Sequence, residues 1–184
     1  MIKITTLLVV SILLTHSAFA DEFTDKPYFV ADWGIVNYSD IPSGYSSQAV
    51  MTRIAGGYIF IPTLAAEIGY SRFGDSINSP GTDSGTMTAS SLQLILVGNL
   101  ELSSKLTIFG KIGLANNSQK IDALTGTIST SANSAMFGGG LQYQLKPQLS
   151  FHVQYDNFGS FGKLGVNNSD MTASAISLGV LAIF

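Results

Sequence analysis

Downstream of residue 27, apolar and polar residues alternate with a period of two in eight runs separated by turn-rich segments. The runs are 28–38, 48–60, 63–73, 89–101, 105–116, 131–145, 148–158 and 172–184. Such alternation places successive side chains on opposite faces of a strand. If Glu67 faces inward, then Leu64, Ala66, Ile68 and Tyr70 face outward. The same count sends Leu92, Leu94, Leu96, Gly98 and Leu100 out, with Ser91, Gln93, Asn99 and Glu101 directed in or to the rim. Leu106, Ile108, Ile112 and Leu114 face out against an inward Lys111, and Leu149, Phe151, Val153 and Tyr155 face out against His152, Gln154 and Asp156. Ile95, Val97 and Leu181 are apolar residues that this count also directs inward. An apolar outside around a mixed inside is the pattern of a barrel in lipid.

Each run holds roughly 11–15 residues, enough for a tilted strand to cross a bilayer. The connections fall into two alternating classes. Segments 61–62, 102–104 and 146–147 are short, two of them carrying Pro62 and Pro147. Segments 39–47, 74–88, 117–130 and 159–171 are long and rich in Ser, Gly, Asn, Asp and Thr. Short periplasmic turns opposed to long outer loops characterise outer-membrane barrels. The expected fold is therefore all-β: an eight-stranded antiparallel up-and-down transmembrane β-barrel with four long extracellular loops.

Composition sharpens this picture. Charged residues make up only 11% of the chain, against about 25% in soluble domains. After the N-terminal segment no apolar run approaches the ~18 residues of a membrane helix, which leaves a closed barrel as the spanning solution. Residues 1–20 read as an export signal: Lys3, an apolar stretch over 4–14, and an A-x-A site at Ala18-Phe19-Ala20, with cleavage expected between Ala20 and Asp21. The barrel domain would then run over 21–184, in the bacterial outer membrane. Cysteine is absent, so neither a disulfide framework nor a thiolate metal site is expected. A net charge of −3 argues against nucleic acid as a partner.

Several side chains could carry chemistry. Asp32, Arg53, Glu67, Gln93, Lys111, Gln142, His152 and Gln154 are expected inside the barrel as a lumenal polar network, with Glu67 and Lys111 paired across one intervening strand. Charges in a packed interior must pair or meet water, so the set reads either as a plug or as an ion pathway. Tyr58, Phe60, Tyr143 and Phe184 cluster towards the short-turn end, and Tyr70 and Tyr155 towards the other, as aromatic girdles do. His152 is the one histidine beyond the signal, and no nucleophile motif surrounds a serine, so catalysis is not expected. Gly138-Gly139-Gly140 lacks the helix a phosphate loop needs and reads as a thin patch in a curved strand. The loops are polar and weakly acidic (Asp40, Asp75, Asp83, Asp122 and Asp170 against Lys120 and Lys163). Ile41, Tyr45, Ile77, Leu124, Phe161 and Leu164 are expected at or near their tips.

Arg53-Ile-Ala-Gly-Gly-Tyr58, with Pro62 in the turn and Glu67-Ile-Gly-Tyr70 after it, resembles the second hairpin of the OmpA-type membrane domain. Leu92-Gln93-Leu94 leading to Lys105-Leu-Thr-Ile-Phe-Gly-Lys-Ile-Gly113, Phe137-Gly-Gly-Gly-Leu-Gln-Tyr143, His152-Val-Gln-Tyr155 and Ser177-Leu-Gly-Val180 resemble later strands of that family. The resemblance covers nearly all of 21–184 and concerns the membrane domain alone, so the family's periplasmic peptidoglycan-binding domain is not expected here. Gln142 and His152 stand where the resemblance implies a carboxylate and an arginine. The terminal Phe184 resembles the signal that such barrels present to the barrel-assembly machinery. Outer-membrane lipids and, through the loops, host, phage or envelope proteins are the implied partners, and no cofactor is implied. Three functions stay open: a structural or surface-interaction barrel, which is favoured; a narrow porin-like diffusion channel; and, least supported, a lipid-modifying enzyme.

Overall fold

The computed structural model describes residues 25–40, 46–77, 86–123, 126–163 and 170–184. The expected signal, with Ala20 and Asp21, lies outside the described residues, as do Ile41, Tyr45, Asp83, Leu124 and Leu164. Eight strands are present: β1 (Lys26–Ser39), β2 (Gln48–Ile61), β3 (Leu64–Ile77), β4 (Thr86–Ser103), β5 (Leu106–Ala123), β6 (Gly126–Lys146), β7 (Leu149–Lys163) and β8 (Asp170–Ile183). Each pairs antiparallel with its sequence neighbour, and β1 closes on β8 from Tyr28↔Ile183 to Ser39↔Thr172. The all-β barrel expected from the alternation is therefore the fold.

The apolar positions of the alternation lie on the outside. Trp33, Ile54, Ile68, Leu94, Ile112, Leu114 and Leu178 are each more than half exposed. In water this would be an implausibly large apolar patch, but in lipid it is the matching surface. The belt ends at an outward-facing polar row on the long-loop side, marked by Asn37, Gln48, Arg72, Ser90, Asn116 and Asn133. Between the short turns and that row, no described outward position carries a charge.

The strands run further than alternation indicated. β3 continues to Ile77, β5 and β6 pair up to Ala123↔Gly126, and β7 reaches Lys163. Strand therefore occupies 74–77 and 86–88, 117–123 and 126–130, and 159–163 and 170–171 of the segments read as loops. The reason is physical: above the lipid the outer face of the sheet meets water, so Ser118 and Lys120 face out where Asn117 and Gln119 face in, and the period-two signal fades while backbone pairing persists. Bulges interrupt the ladders near both ends, between Ile59 and Ile61, Phe73 and Ser76, Glu101 and Ser103, Gln144 and Lys146, and twice in β7.

Candidate functional site

Inside the barrel the inward parity of six strands assembles one connected polar layer. Arg53 on β2 is its hub and is 1% exposed. Its Nη1 donates to Asp32 Oδ2 at 3.0 Å, its Nη2 to Glu67 Oε2 at 2.5 Å and its Nε to Gln93 Oε1 at 3.4 Å. The Tyr28 hydroxyl donates to the other Glu67 oxygen at 3.0 Å. Asp32 also accepts from Gln154 Nε2 at 3.1 Å, and its Oδ1 lies 2.6 Å from His152 Nε2. A carboxylate can only accept, so that imidazole nitrogen donates. Lys111 donates to Gln154 Oε1 at 2.5 Å and stands 3.6 Å from Asp156 Oδ1. Gln93 Nε2 ties in Ser71 Oγ at 3.1 Å and the Ser91 carbonyl at 2.9 Å.

The bonds of this layer cross strands because bare backbone lies between their ends. Asp32 and His152 sit on β1 and β7, on either side of Gly179 of β8, and a Cβ at Gly179 would strike both side chains. Gly57 lies likewise between Tyr28 and Glu67, and its missing Cβ is where the Tyr28 ring rests. Gly138 separates Lys111 from Asp156 in the same manner. An inward glycine therefore acts as a gap through which next-but-one strands join. Asp156 is fully buried, and neither of its carboxylate oxygens accepts a hydrogen bond among the described residues; Lys111 is its ion-pair partner.

Towards the long-loop end the filling changes character. Phe73, Phe158 and Phe161 are fully buried, with ring centroids 5.1 Å (Phe73–Phe158) and 5.5 Å (Phe73–Phe161) apart in edge-to-face geometry. Met51, Met87, Met171 and Val36 fill the space around them, and Tyr38 meets Phe73 edge-on at 6.3 Å. Phe161 is placed there by the β7 bulges. Inward residues run His152, Gln154, Asp156, Phe158 and then skip to Phe161. Gly159 (φ +70°) and Gly162 (φ +87°) adopt the left-handed backbone that the extra residue requires. The carbonyls that the bulge turns inwards are met by β5: Asn117 Nδ2 donates to Phe158 O and Ser160 O at 2.7 and 2.8 Å, and Gln119 Nε2 to Phe161 O at 3.2 Å.

Residues 5–184 match the family described as outer membrane protein beta-barrel domain. The chain belongs to this family. Outer membrane protein P5 of Haemophilus influenzae is 26% identical over 144 residues, covering 71% of this chain and 40% of the relative, so the chain spans well under half of that protein's length. Three solved barrels share the fold. Neisserial surface protein A gives a TM-score of 0.63 at 19% identity, covering 86% of this chain and 97% of its own. Ail, the attachment invasion locus protein of Yersinia pestis, solved with the heparin analogue sucrose octasulfate, gives 0.62 at 14%, covering 88% and 99%. The N-terminal β-barrel domain of Pseudomonas aeruginosa OprF gives 0.58 at 15%, covering 87% and 98%. The protein is a small OmpA-type barrel of the bacterial outer membrane, its short turns periplasmic and its long connections extracellular, as in the family's general plan.

In this outer-membrane barrel Asp32, Arg53, Glu67, Gln93, Lys111, His152 and Gln154 are buried and joined, whereas Gln142 is half-buried and enters none of the layer's hydrogen bonds. Gln142 lies below the layer, beside Thr107 and His152 in register, with Phe109 filling the lumen at that level. The expected Glu67–Lys111 pair does not form: Glu67 is bound by Arg53 and Tyr28, and Lys111 by Gln154 and Asp156. Arg53 sits diagonally above Glu67 on the adjacent strand and reaches it first. Tyr58, Phe60, Tyr70, Tyr143 and Tyr155 all face outward, and the Tyr58 and Phe60 rings meet at a 57° tilt with centroids 5.5 Å apart. Phe184 is 72% exposed, and its backbone N–H donates to Pro27 O at 3.0 Å. Phe161, expected at a loop tip, is instead core, because the bulge reverses its parity. Tyr28, Asn117, Gln119 and the bridging glycines escaped sequence reasoning; inward glycines flanked on both neighbouring strands by polar residues were the available signal.

Proposed function

We propose that this chain is a closed barrel that carries a surface for protein contact outside the cell, rather than a diffusion channel. The observation that supports this is the filling of the lumen along its length. Phe109, Ile95 and Val97 occupy its periplasmic part, the Arg53-centred layer its middle, and Phe73, Phe158 and Phe161 its outer part. A barrel of eight strands has an interior just wide enough for side chains to fill. The β5–β6 hairpin, rising above the belt with Ser, Thr and Asn on its faces, offers the contact surface. The names of the fold neighbours, a surface protein and an attachment protein, accord with host or envelope partners. His152 is buried against Asp32, and no serine hydroxyl hydrogen-bonds to it among the described residues. That supports a role other than lipid hydrolysis.

The test is single-channel recording of the full chain in planar bilayers, combined with binding to immobilised host-matrix and envelope proteins. The expected outcome is no stepwise conductance in the wild type. Binding should be lost when the hairpin above Asn116 and Asn133 is replaced by a tight turn. Stable ohmic steps from the wild type would overturn the closed-barrel reading, and hairpin-independent binding would overturn the surface assignment.

A further inference from the structure

The three carboxylates of the charged layer are not held alike. Asp32 accepts from Arg53, His152 and Gln154, and Glu67 accepts from Arg53 and Tyr28. Asp156 on β7 is completely buried, yet neither of its oxygens meets a hydrogen-bond donor among the described residues. Its counter-charge is the Lys111 ammonium, 3.6 Å from Oδ1, beyond the reach of a hydrogen bond. That ammonium carries three N–H groups, of which one donates to Gln154 Oε1. On β8 the Ser177 hydroxyl is also buried and without a partner. Ser177 stands opposite Gln154, and Asp156 opposite Ala175, so Asp156 and Ser177 are diagonal neighbours facing the lumen. The inward residues beside them, Gly34 next to Ser177 and Ala175 next to Asp156, end at or before Cβ and put no longer side chain between the two.

We infer that ordered water completes the layer here, bridging the Asp156 carboxylate, the Ser177 hydroxyl and the Lys111 ammonium. The chemistry of the three groups selects the ligand. Carboxylate oxygens only accept, so their partner must donate, while the ammonium has N–H groups left over, so the same partner must accept. Water does both. A metal ion satisfies the carboxylate alone and is repelled by the ammonium beside it. Buried waters typically make about three hydrogen bonds to groups that are otherwise unsatisfied, which is the number of groups gathered here. The arrangement recurs across the lumen, where Ser91 Oγ and Asn117 Oδ1, both buried and without donors, stand directly opposite each other on β4 and β5. Oxygens without protein partners thus fall side by side, as a bridging molecule requires. At Asp156 the bridge also brings in β8, whose side chains otherwise make no hydrogen bond to the layer among the described residues.

Oxygen-17 relaxation dispersion of water, which counts long-lived internal molecules, tests the assignment on the full chain in detergent micelles. Asp156→Leu combined with Lys111→Met replaces the ion pair by apolar groups of similar size. It should lower the signal by roughly one water or more relative to the wild type. Ser177→Ala should lower it as well, because the bridge loses a partner, whereas Ser150→Ala near the start of β7 should match the wild type. An unchanged signal in a D156L/K111M protein that still migrates as a folded barrel before boiling would overturn the proposal. If that double variant does not fold, an unchanged signal in Ser177→Ala would overturn it instead. Infrared difference spectra between the wild type and Asp156→Asn give a second reading, in which the band lost should be that of an ionised carboxylate. Loss of a protonated carboxyl band would put a proton on Asp156 where the water should donate, and overturn the inference. A dispersion signal present in sodium buffer and lost in choline buffer would assign the site to a metal ion, with the same result.

Discussion

The charged middle of the lumen follows from alternation along each strand, whereas the aromatic plug above it depends on one place where alternation fails. Arg53, Asp32, Glu67, Lys111, His152 and Gln154 all stand at the parity their strands prescribe. Phe161 reaches the core only because β7 carries extra residues around Gly159. The difference is also one of forces. The middle layer is held by complementary charge, in which each member is stranded if its partner goes. The plug is held by shape, through rings and thioethers whose loss leaves a void. One barrel therefore contains a region that tolerates coordinated replacement and a region that tolerates only replacement of like volume.

The largest expected effect comes from breaking the first region. Arg53→Met leaves Asp32 and Glu67 buried without their cation. Stability should fall by about 3–5 kcal/mol, read as the urea unfolding midpoint in lipid vesicles. Adding Asp32→Asn and Glu67→Gln should recover most of that loss. A further loss with each added change would show that the charges are not coupled. In the second region Phe73→Ala should lower stability by about 3 kcal/mol through the cavity it opens. No change in the charged layer should restore it, and a loss below about 1 kcal/mol would mean the plug is loosely packed. The smallest effect is expected from Gly159→Ala. It forces an L side chain into φ +70° and towards Ser134, which should lower stability by about 1–2 kcal/mol. Accompanying exposure of Phe161 to a soluble fluorescence quencher, after Phe161→Trp, would tie the plug to the bulge; an unaltered quenching constant would separate them.

This contrast explains what could be read from the chain before its structure. Strand number, pairing order, the lipid face and the inward charges all follow from a period of two plus two classes of connection. Partner choice inside the lumen does not, because it depends on stagger between strands. Asp32 and Arg53 are direct register neighbours, but Glu67 and Lys111 were equally inward and still took other partners. Gln142 is inward by parity yet lies below the level at which Arg53, Gln154 and Lys111 converge, and parity carries no information on height. Strand ends above the lipid were hidden for the opposite reason. Ser118, Lys120, Ser129 and Ser131 are wet on their outer face, and nothing in their polarity separates a ladder from a loop.

The length of the β5–β6 hairpin fixes how near anything can come to the membrane at this barrel. On β5 the apolar belt ends at Leu114, and the strand continues from Asn116 to Ala123. At about 3.4 Å per residue and a tilt near 40°, that continuation rises on the order of 20 Å, clear of a headgroup layer of roughly 5–8 Å. Among the described residues β6 is paired in register with β7 only from Phe137 downwards; above that level the projecting part is held by β4, paired with β5 up to Thr86↔Asp122, and by side-chain bonds to β7 such as Ser160 N–H to Ser134 Oγ at 2.9 Å. Among the described residues, a flat object approaching the cell meets this paired β4–β5–β6 sheet before it meets lipid. It is then held off at a fixed standoff, with load transmitted through paired backbone into the charged layer and plug rather than into the bilayer.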